Sequence, residues 1–222
     1  MSKNVYILGP QYSPFVRAVA LCCEEKKIAY SIGFEPFNDT IKVESEQHLA
    51  LHPFGKGPVL IHNEYHLFET APICRYLDNQ FHGVDLQPHS AHQQAQVDQW
   101  CSAISTYIYN VLIKHYLLEF TFPKGEKGEI RWQVIEQAMT NIENVFHIIH
   151  HQLGKQEYFC TNQYTIADAL LTPILDYLEK LPHACELFQR YPNLQRYVAR
   201  MRSRESAKKV LTDITLPAPS AA

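Results

Sequence analysis

Pro58-Val59-Leu60-Ile61-His62-Asn63-Glu64-Tyr65-His66-Leu67-Phe68 is the stretch on which the fold turns. Two strand-like runs flank Asn63-Glu64, which reads as a hairpin closed by a two-residue turn, although Asn-Glu is a weaker turn pair than Asn-Gly. Upstream, Val5 to Leu8 is a short apolar run ended by Gly9-Pro10, the pattern of a buried strand. Phe15, Val16, Val19, Ala20 and Cys23 then recur at helical spacing behind Pro14, whose missing N–H does no harm in a first turn. Tyr30 to Phe34 reads as a second strand, and Val43 to Leu51 as a short helix ended before His52-Pro53. Downstream of the hairpin, Ile73, Cys74, Leu77 and Phe81 share one helix face. The order β-α-β-α-β-β-α predicts a mixed sheet with helices packed on it.

From Asn79 to His92 the periodicity lapses into a polar linker carrying Gly83, Asp85, Pro88, His89 and Ser90. Everything after it reads as helix. One long segment runs from about Ala91 to Leu118 and another from about Lys127 to Leu153, separated by Thr121-Phe122-Pro123-Lys124-Gly125. Ile166 to Leu181 is apolar nearly all round, as expected of a buried axis. Pro192-Asn193 opens a last amphipathic helix. The expected division is an α/β unit over 1–82, a linker over 83–90, an all-helical unit over 91–211 and a frayed tail over 212–222.

Composition narrows the function. The chain has 222 residues, 46% apolar and 19% charged, and a net charge of −3, which lacks the concentrated basic face that nucleic-acid binding needs. Only 8 residues are Gly, against a Gly-rich nucleotide cradle. The six cysteines form no CxxC pair, so zinc-ribbon and dithiol readings fail. Met1-Ser2-Lys3-Asn4-Val5 has no signal-peptide core, and no window of about 18 apolar residues suggests a membrane span. A reducing cytosol is the expected compartment. Of the 12 histidines, His147, His150 and His151 share helical spacing, but no Glu makes an HExxH arrangement of them, and no metal site is expected.

Three short features carry chemistry. Ser13, in Gly9-Pro10-Gln11-Tyr12-Ser13-Pro14-Phe15-Val16-Arg17, stands where a strand gives way to a helix. Free N–H groups and the positive helix end favour an anion there, and a hydroxyl can stabilise a bound thiolate; the other reading is a helix cap. His52-Pro53-Phe54-Gly55-Lys56-Gly57-Pro58 leads into a strand; a cis Pro58 would turn the Gly57 peptide outward to pair with an extended ligand backbone. Glu69-Thr70 marks a second strand-to-helix junction, suited to an ammonium and a carboxylate, or to capping.

With Ser13 to Arg17, Pro53 to Pro58, Leu67 to Leu77 and Tyr164-Thr165-Ile166-Ala167-Asp168 in that order, the chain resembles the soluble glutathione S-transferases over Val5 to about Leu211. The resemblance implies a thioredoxin-like N-terminal domain, an all-helical C-terminal domain, a homodimer, and glutathione as co-substrate with no other cofactor. It places Ser13 where the phi, tau and theta-like classes keep their catalytic serine. No cysteine precedes Pro14-Phe15 as in omega-like classes, which favours conjugation of an electrophilic small molecule over thiol exchange. Tyr12 ranks second to Ser13. Lys56, Gly57 and Pro58 would bind glutathione, Gly57 through its backbone to the cysteinyl part with Pro58 as the family's cis-proline, and Glu69 and Thr70 would take its γ-glutamyl end. Tyr12, Phe15, Tyr107, Tyr109 and Tyr116 are candidates for the acceptor pocket, although aromatic residues serve cores and dimer contacts equally well.

Two departures stand out. Glu44 occupies the position where phi and tau members carry a lysine for the glycyl carboxylate, leaving Lys42 or Lys56 as substitutes, and Gly57 replaces the usual Val or Ile. Weaker glutathione binding is the expected consequence. Rival readings are a non-catalytic protein-binding module, against which Ser13, Glu69 and Thr70 speak, and a glutathione-dependent isomerase, whose Ser-Ser-Cys is absent. Thr165 to Asp168 is a capping box with a folding role.

Overall fold

The computed structural model describes residues 5–36 and 39–213, with 182–184 by backbone alone. Residues 214–222, most of the expected tail, lie outside them. The first half runs β1 (Val5–Leu8), α1 (Pro14–Glu25), β2 (Tyr30–Gly33), α2 (Glu46–Leu51), β3 (Val59–His62), β4 (Tyr65–Phe68) and α3 (Thr70–Gln80). The sheet order is β2-β1-β3-β4, with β2 parallel to β1 and the other pairs antiparallel. Asn63 takes φ +57° in the hairpin turn, a conformation its short amide side chain tolerates better than most. The fold is the mixed sheet with packed helices that the element order predicted, in the thioredoxin-like arrangement that the resemblance implied.

α2 starts three residues later than the periodicity suggested. Glu44 stands at φ +62°, off the helical path, and Ser45 instead caps the helix by accepting the His48 N–H at 3.2 Å.

The second half runs α4 (Ala91–Ala103), two π-helical stretches (Ile104–Ile108 and Asn110–Leu117), α5 (Leu118–Thr121), α6 (Trp132–Leu153), α7 (Ile166–Leu178), α8 (Pro182–Arg190), α9 (Pro192–Ser203) and α10 (Glu205–Val210). Four details differ from the sequence reading. The first long helix widens into π turns, and α6 opens only at Trp132, after Lys127 takes φ +57°. Leu181, extended at ψ 150°, closes the region of α7 and caps the separate helix α8. Arg204, extended at ψ 145°, splits the last helix in two.

α7 is buried along nearly its whole length, as its composition requires. Its capping box is realised: the Thr165 N–H donates to Asp168 Oδ2 at 2.8 Å, and Asp168 Oδ1 accepts from the Phe159 N–H and the Tyr197 hydroxyl. α1 packs between the sheet and α7, so Val19 and Leu60 share one apolar core with Leu170 and Ile174. Between α3 and α4, Leu86 is fully buried, and its carbonyl accepts the Ile166 N–H at 3.0 Å. Buried Lys26 holds this segment by donating to Asp78 at 2.8 Å and to the Val84 carbonyl at 3.0 Å. Among the described residues no helix is long and apolar enough to cross a membrane.

Candidate functional site

Sheet register assembles the site. Leu8 pairs with Val59, and Val59 with Phe68, so the next residues outward, Gly9, Pro58 and Glu69, stand side by side at one end of the sheet. Three loops therefore converge where β1 leads into α1, where β3 begins and where β4 leads into α3. Gly9 is required there: a Cβ on it would lie 2.7 Å from Val16 Cγ2, and its φ is +148°. The Gly57-Pro58 peptide is cis.

Ser13 is the N-cap residue of α1, half-buried, and its side chain makes no capping hydrogen bond. Its hydroxyl thus stands beside the unpaired first-turn N–H groups and the positive end of the helix without being used by them. Glu69 is the N-cap of α3, exposed, equally without a capping bond, and it holds φ +72° and ψ 122°. A non-glycine residue kept in so sparsely populated a region is held there by its surroundings, as residues at binding sites often are. Thr70 behind it is buried. His52 packs on Phe68 at 4.7 Å between ring centres. Burial holds the His52 imidazole below its ordinary pKa, against a smaller upward pull from Glu69.

Between this end of the sheet and the helical half lies a cleft of about 680 Å³. One wall is Gly9, Tyr12, Ser13, Lys56 and Gly57; the other is apolar, with Tyr109, Ile113, Leu117 and Phe120. Phe15 is stacked on Tyr109 at 4.4 Å, which ties the foot of α1 to the far wall. Pro58, Glu69 and Thr70 adjoin through the sheet register and do not line the cleft itself.

Two tyrosines fall elsewhere. Tyr107 is 70% exposed, and Tyr116 is fully buried with its ring edge on Phe120. On a regular α-helix, Tyr116 would lie two turns beyond Tyr109 on the same face. The widened i→i+5 turns between them rotate it into the core.

Residues whose roles the sequence did not show fix the loop that leads into α1. The Tyr177 hydroxyl donates to the Tyr12 carbonyl at 2.7 Å, and burial pushes its pKa up to about 12, so it remains a donor. Buried Arg17 donates to the Gln11 carbonyl at 3.2 Å and the Thr212 carbonyl at 2.8 Å, faces Asp176 at 3.8 Å and covers the Tyr177 ring. Arg17 stood four residues from Ser13 in the motif, but Tyr177 looked like one more core aromatic. Lys180 pairs with Asp213 at the same cleft. The histidine-rich face of α6 is used structurally: His150 Nδ1 lies 2.5 Å from Asn193 Oδ1. Among the described residues no three His, Cys, Asp or Glu side chains converge as a metal site needs.

A cis-proline loop beside a helix N-terminus on a mixed four-stranded sheet, closed over by an all-helical half, defines a thioredoxin-like protein with a helical domain fused to it. Residues 9–85 match the family model for the glutathione S-transferase N-terminal domain, and residues 110–205 that for the C-terminal domain. Glutathione S-transferase F10 of Arabidopsis thaliana is 28% identical over 95% of this chain and 98% of its own. Glutathione S-transferase hmp2 of Hypomyces subiculosus is 29% identical over 72% and 77%. The structure of glutathione transferase F2 from Populus trichocarpa superposes with a TM-score of 0.79 at 25% identity, covering 93% of this chain and 97% of that one. A theta class enzyme from Xanthomonas axonopodis pv. citri, solved with glutathione bound, gives 0.79 at 24%, covering 96% and 100%. The chain belongs to the glutathione S-transferase family.

Proposed function

We propose that the protein conjugates glutathione to an electrophilic small molecule, with Ser13 stabilising the thiolate. One observation carries the reading: the uncommitted Ser13 hydroxyl at the α1 terminus opens on a cleft whose opposite wall is apolar. The hydroxyl donates to the sulfur while the helix end favours its negative charge, and the thiol's pKa falls. The thiol proton passes to solvent, and the thiolate attacks a carbon of the acceptor held against Tyr109 and Ile113. The C–S bond forms as the leaving group departs with its electron pair or, at an activated double bond, as the π pair moves onto the acceptor and takes a proton from water. The cleft's ordering of the two reactants supplies further acceleration.

In this reading Gly57 and Pro58 present the loop backbone to the cysteinyl part. Glu69 and Thr70 take the γ-glutamyl end, supported by their place beside Pro58 in the register. Lys56 serves the glycyl carboxylate, because it lines the cleft whereas Lys42 and Glu44 do not. The units 1–82 and 91–211, joined by 83–90, belong to the same reading, supported by α3 ending at Gln80 and α4 opening at Ala91. So does a homodimer, supported by the exposure of two large aromatic side chains, Phe54 at 72% and Tyr65 at 48%. A cytoplasmic location is supported by six free thiols.

The test is calorimetry with glutathione beside a conjugation assay on wild type and Ser13→Ala. Ser13→Ala is expected to bind glutathione but to raise the bound thiol's pKa by about one to two units, each worth roughly tenfold in thiolate near neutrality. Absence of glutathione binding to the wild type sinks the reading. Binding with unchanged turnover in Ser13→Ala moves the catalytic assignment to Tyr12.

A further inference from the structure

His48 lies under the cis-proline loop, 4% exposed, at the cleft wall. Its Nδ1 accepts the Glu44 N–H at 3.0 Å, and its Nε2 lies 3.0 Å from the Lys56 carbonyl oxygen. A backbone N–H only donates, so Nδ1 carries a lone pair; a carbonyl only accepts, so Nε2 carries the proton. Both ring nitrogens are committed, and the backbone itself selects the neutral Nε2–H tautomer. The main chain of the same residue is tied as well: its N–H donates to Ser45 Oγ, and its carbonyl accepts the His52 N–H at 2.8 Å. One buried imidazole thus joins the turn at Glu44 to the carbonyl immediately before Gly57.

We propose that His48 is a positioning residue for glutathione, its neutral ring fixing the Lys56-Gly57 backbone at the height at which that loop meets the peptide. The proposal rests on the glutathione reading of the cleft. An apolar side chain of similar size fills the space but strands the Lys56 carbonyl and the Glu44 N–H, and the loop then loses its fixed height. Glutathione binding should therefore weaken when the ring is replaced, while the acceptor wall, built from the helical half, is untouched.

Glutathione and acceptor KM are to be measured for wild type, His48→Gln and His48→Phe. At neutral pH, His48→Phe should raise glutathione KM about tenfold, the effect of one well-made hydrogen bond to a buried group, with acceptor KM moving far less. His48→Gln keeps an N–H for the Lys56 carbonyl and should recover most of the loss. A parallel rise of both KM values in His48→Phe, or unchanged glutathione KM in a folded His48→Phe, overturns the proposal. Should His48→Phe not fold, long-range ¹⁵N correlation of the wild-type ring decides: an Nε2–H tautomer at neutral pH supports it, and Nδ1–H or a charged ring overturns it. Lack of glutathione binding to the wild type removes both readings, whereas binding that ignores His48 removes this one alone.

Discussion

Ser13, Tyr109 and Tyr177 show three ways in which one residue shapes the cleft. Ser13 contributes a hydroxyl that the helix leaves unused. Tyr177 contributes nothing to the chemistry directly but anchors the carbonyl of the preceding residue, Tyr12. Removing that hydroxyl in Tyr177→Phe should cost about 1 kcal/mol of stability, the net worth of one hydrogen bond, and lower turnover more than it alters glutathione binding; urea unfolding and steady-state kinetics check both. Tyr109, stacked on Phe15, presents its ring to the cleft while Tyr107 faces solvent. In Tyr109→Ala the KM for an aromatic acceptor should rise roughly tenfold, since a stacked ring contact adds about 1 kcal/mol to the area it buries. Tyr107→Ala should leave it within twofold. Equal effects in the two variants would show that the acceptor does not lie on that wall.

Elements are held by a few buried polar groups, and these give the protein its pH dependence. α1 and α10 are tied by Glu25, which accepts from Arg204 through two 2.7 Å bonds and from the Ser206 hydroxyl at 2.5 Å. Burial acts to raise the Glu25 pKa, but Arg204 and Ser206 outweigh it and hold the carboxyl below its ordinary value. A carboxyl whose folded-state pKa is depressed contributes stability above its unfolded-state value and loses it as pH falls through the folded one. The stability difference between wild type and Glu25→Gln should therefore be full at neutral pH and shrink below the usual carboxylate range, near pH 4. Urea unfolding at neutral pH and below the usual carboxylate range measures it, and a difference that grows towards acid would contradict the assignment. The α7 capping box is the second such element. Asp168→Ala leaves the buried Phe159 and Thr165 N–H groups without their acceptor, and should cost about 2–4 kcal/mol, beyond an ordinary cap.

At the scale of the whole molecule, sheet and helices share one core, with α1 between the strands and α7 and Leu86 plugged into the junction. The Lys26-Asp78 pair, almost fully buried, pins the connecting segment. Lys26→Met should destabilise by about 3–5 kcal/mol, because Asp78 is left buried with its charge unpaired. Wild type should unfold in one step, with tryptophan fluorescence, reporting Trp100 and Trp132 in the helical half, coinciding with far-UV circular dichroism. Separate transitions would mean that the junction does not couple the halves. Much of this architecture is legible in the chain. The hairpin at 58–68, the Pro14 helix start, the polar break after Asn79 and the box at 165–168 are local signals, written in the residues that make the turns and caps. They fix the element order, and with it a mixed-sheet half and a helical half. Which tyrosines face the cleft was not legible, because the π turns that rotate Tyr116 away from Tyr109 carry no Gly or Pro to announce them. Nor were the roles of His48, Arg17 and Tyr177. Each acts on a backbone group of another segment, 8 residues away for His48 to Lys56 and 165 for Tyr177 to Tyr12. The sequence determined what each segment could become, since propensity and capping are short-range. Only the tertiary structure decided which side chains meet across segments, because those hydrogen bonds exist only once packing has brought distant backbone together.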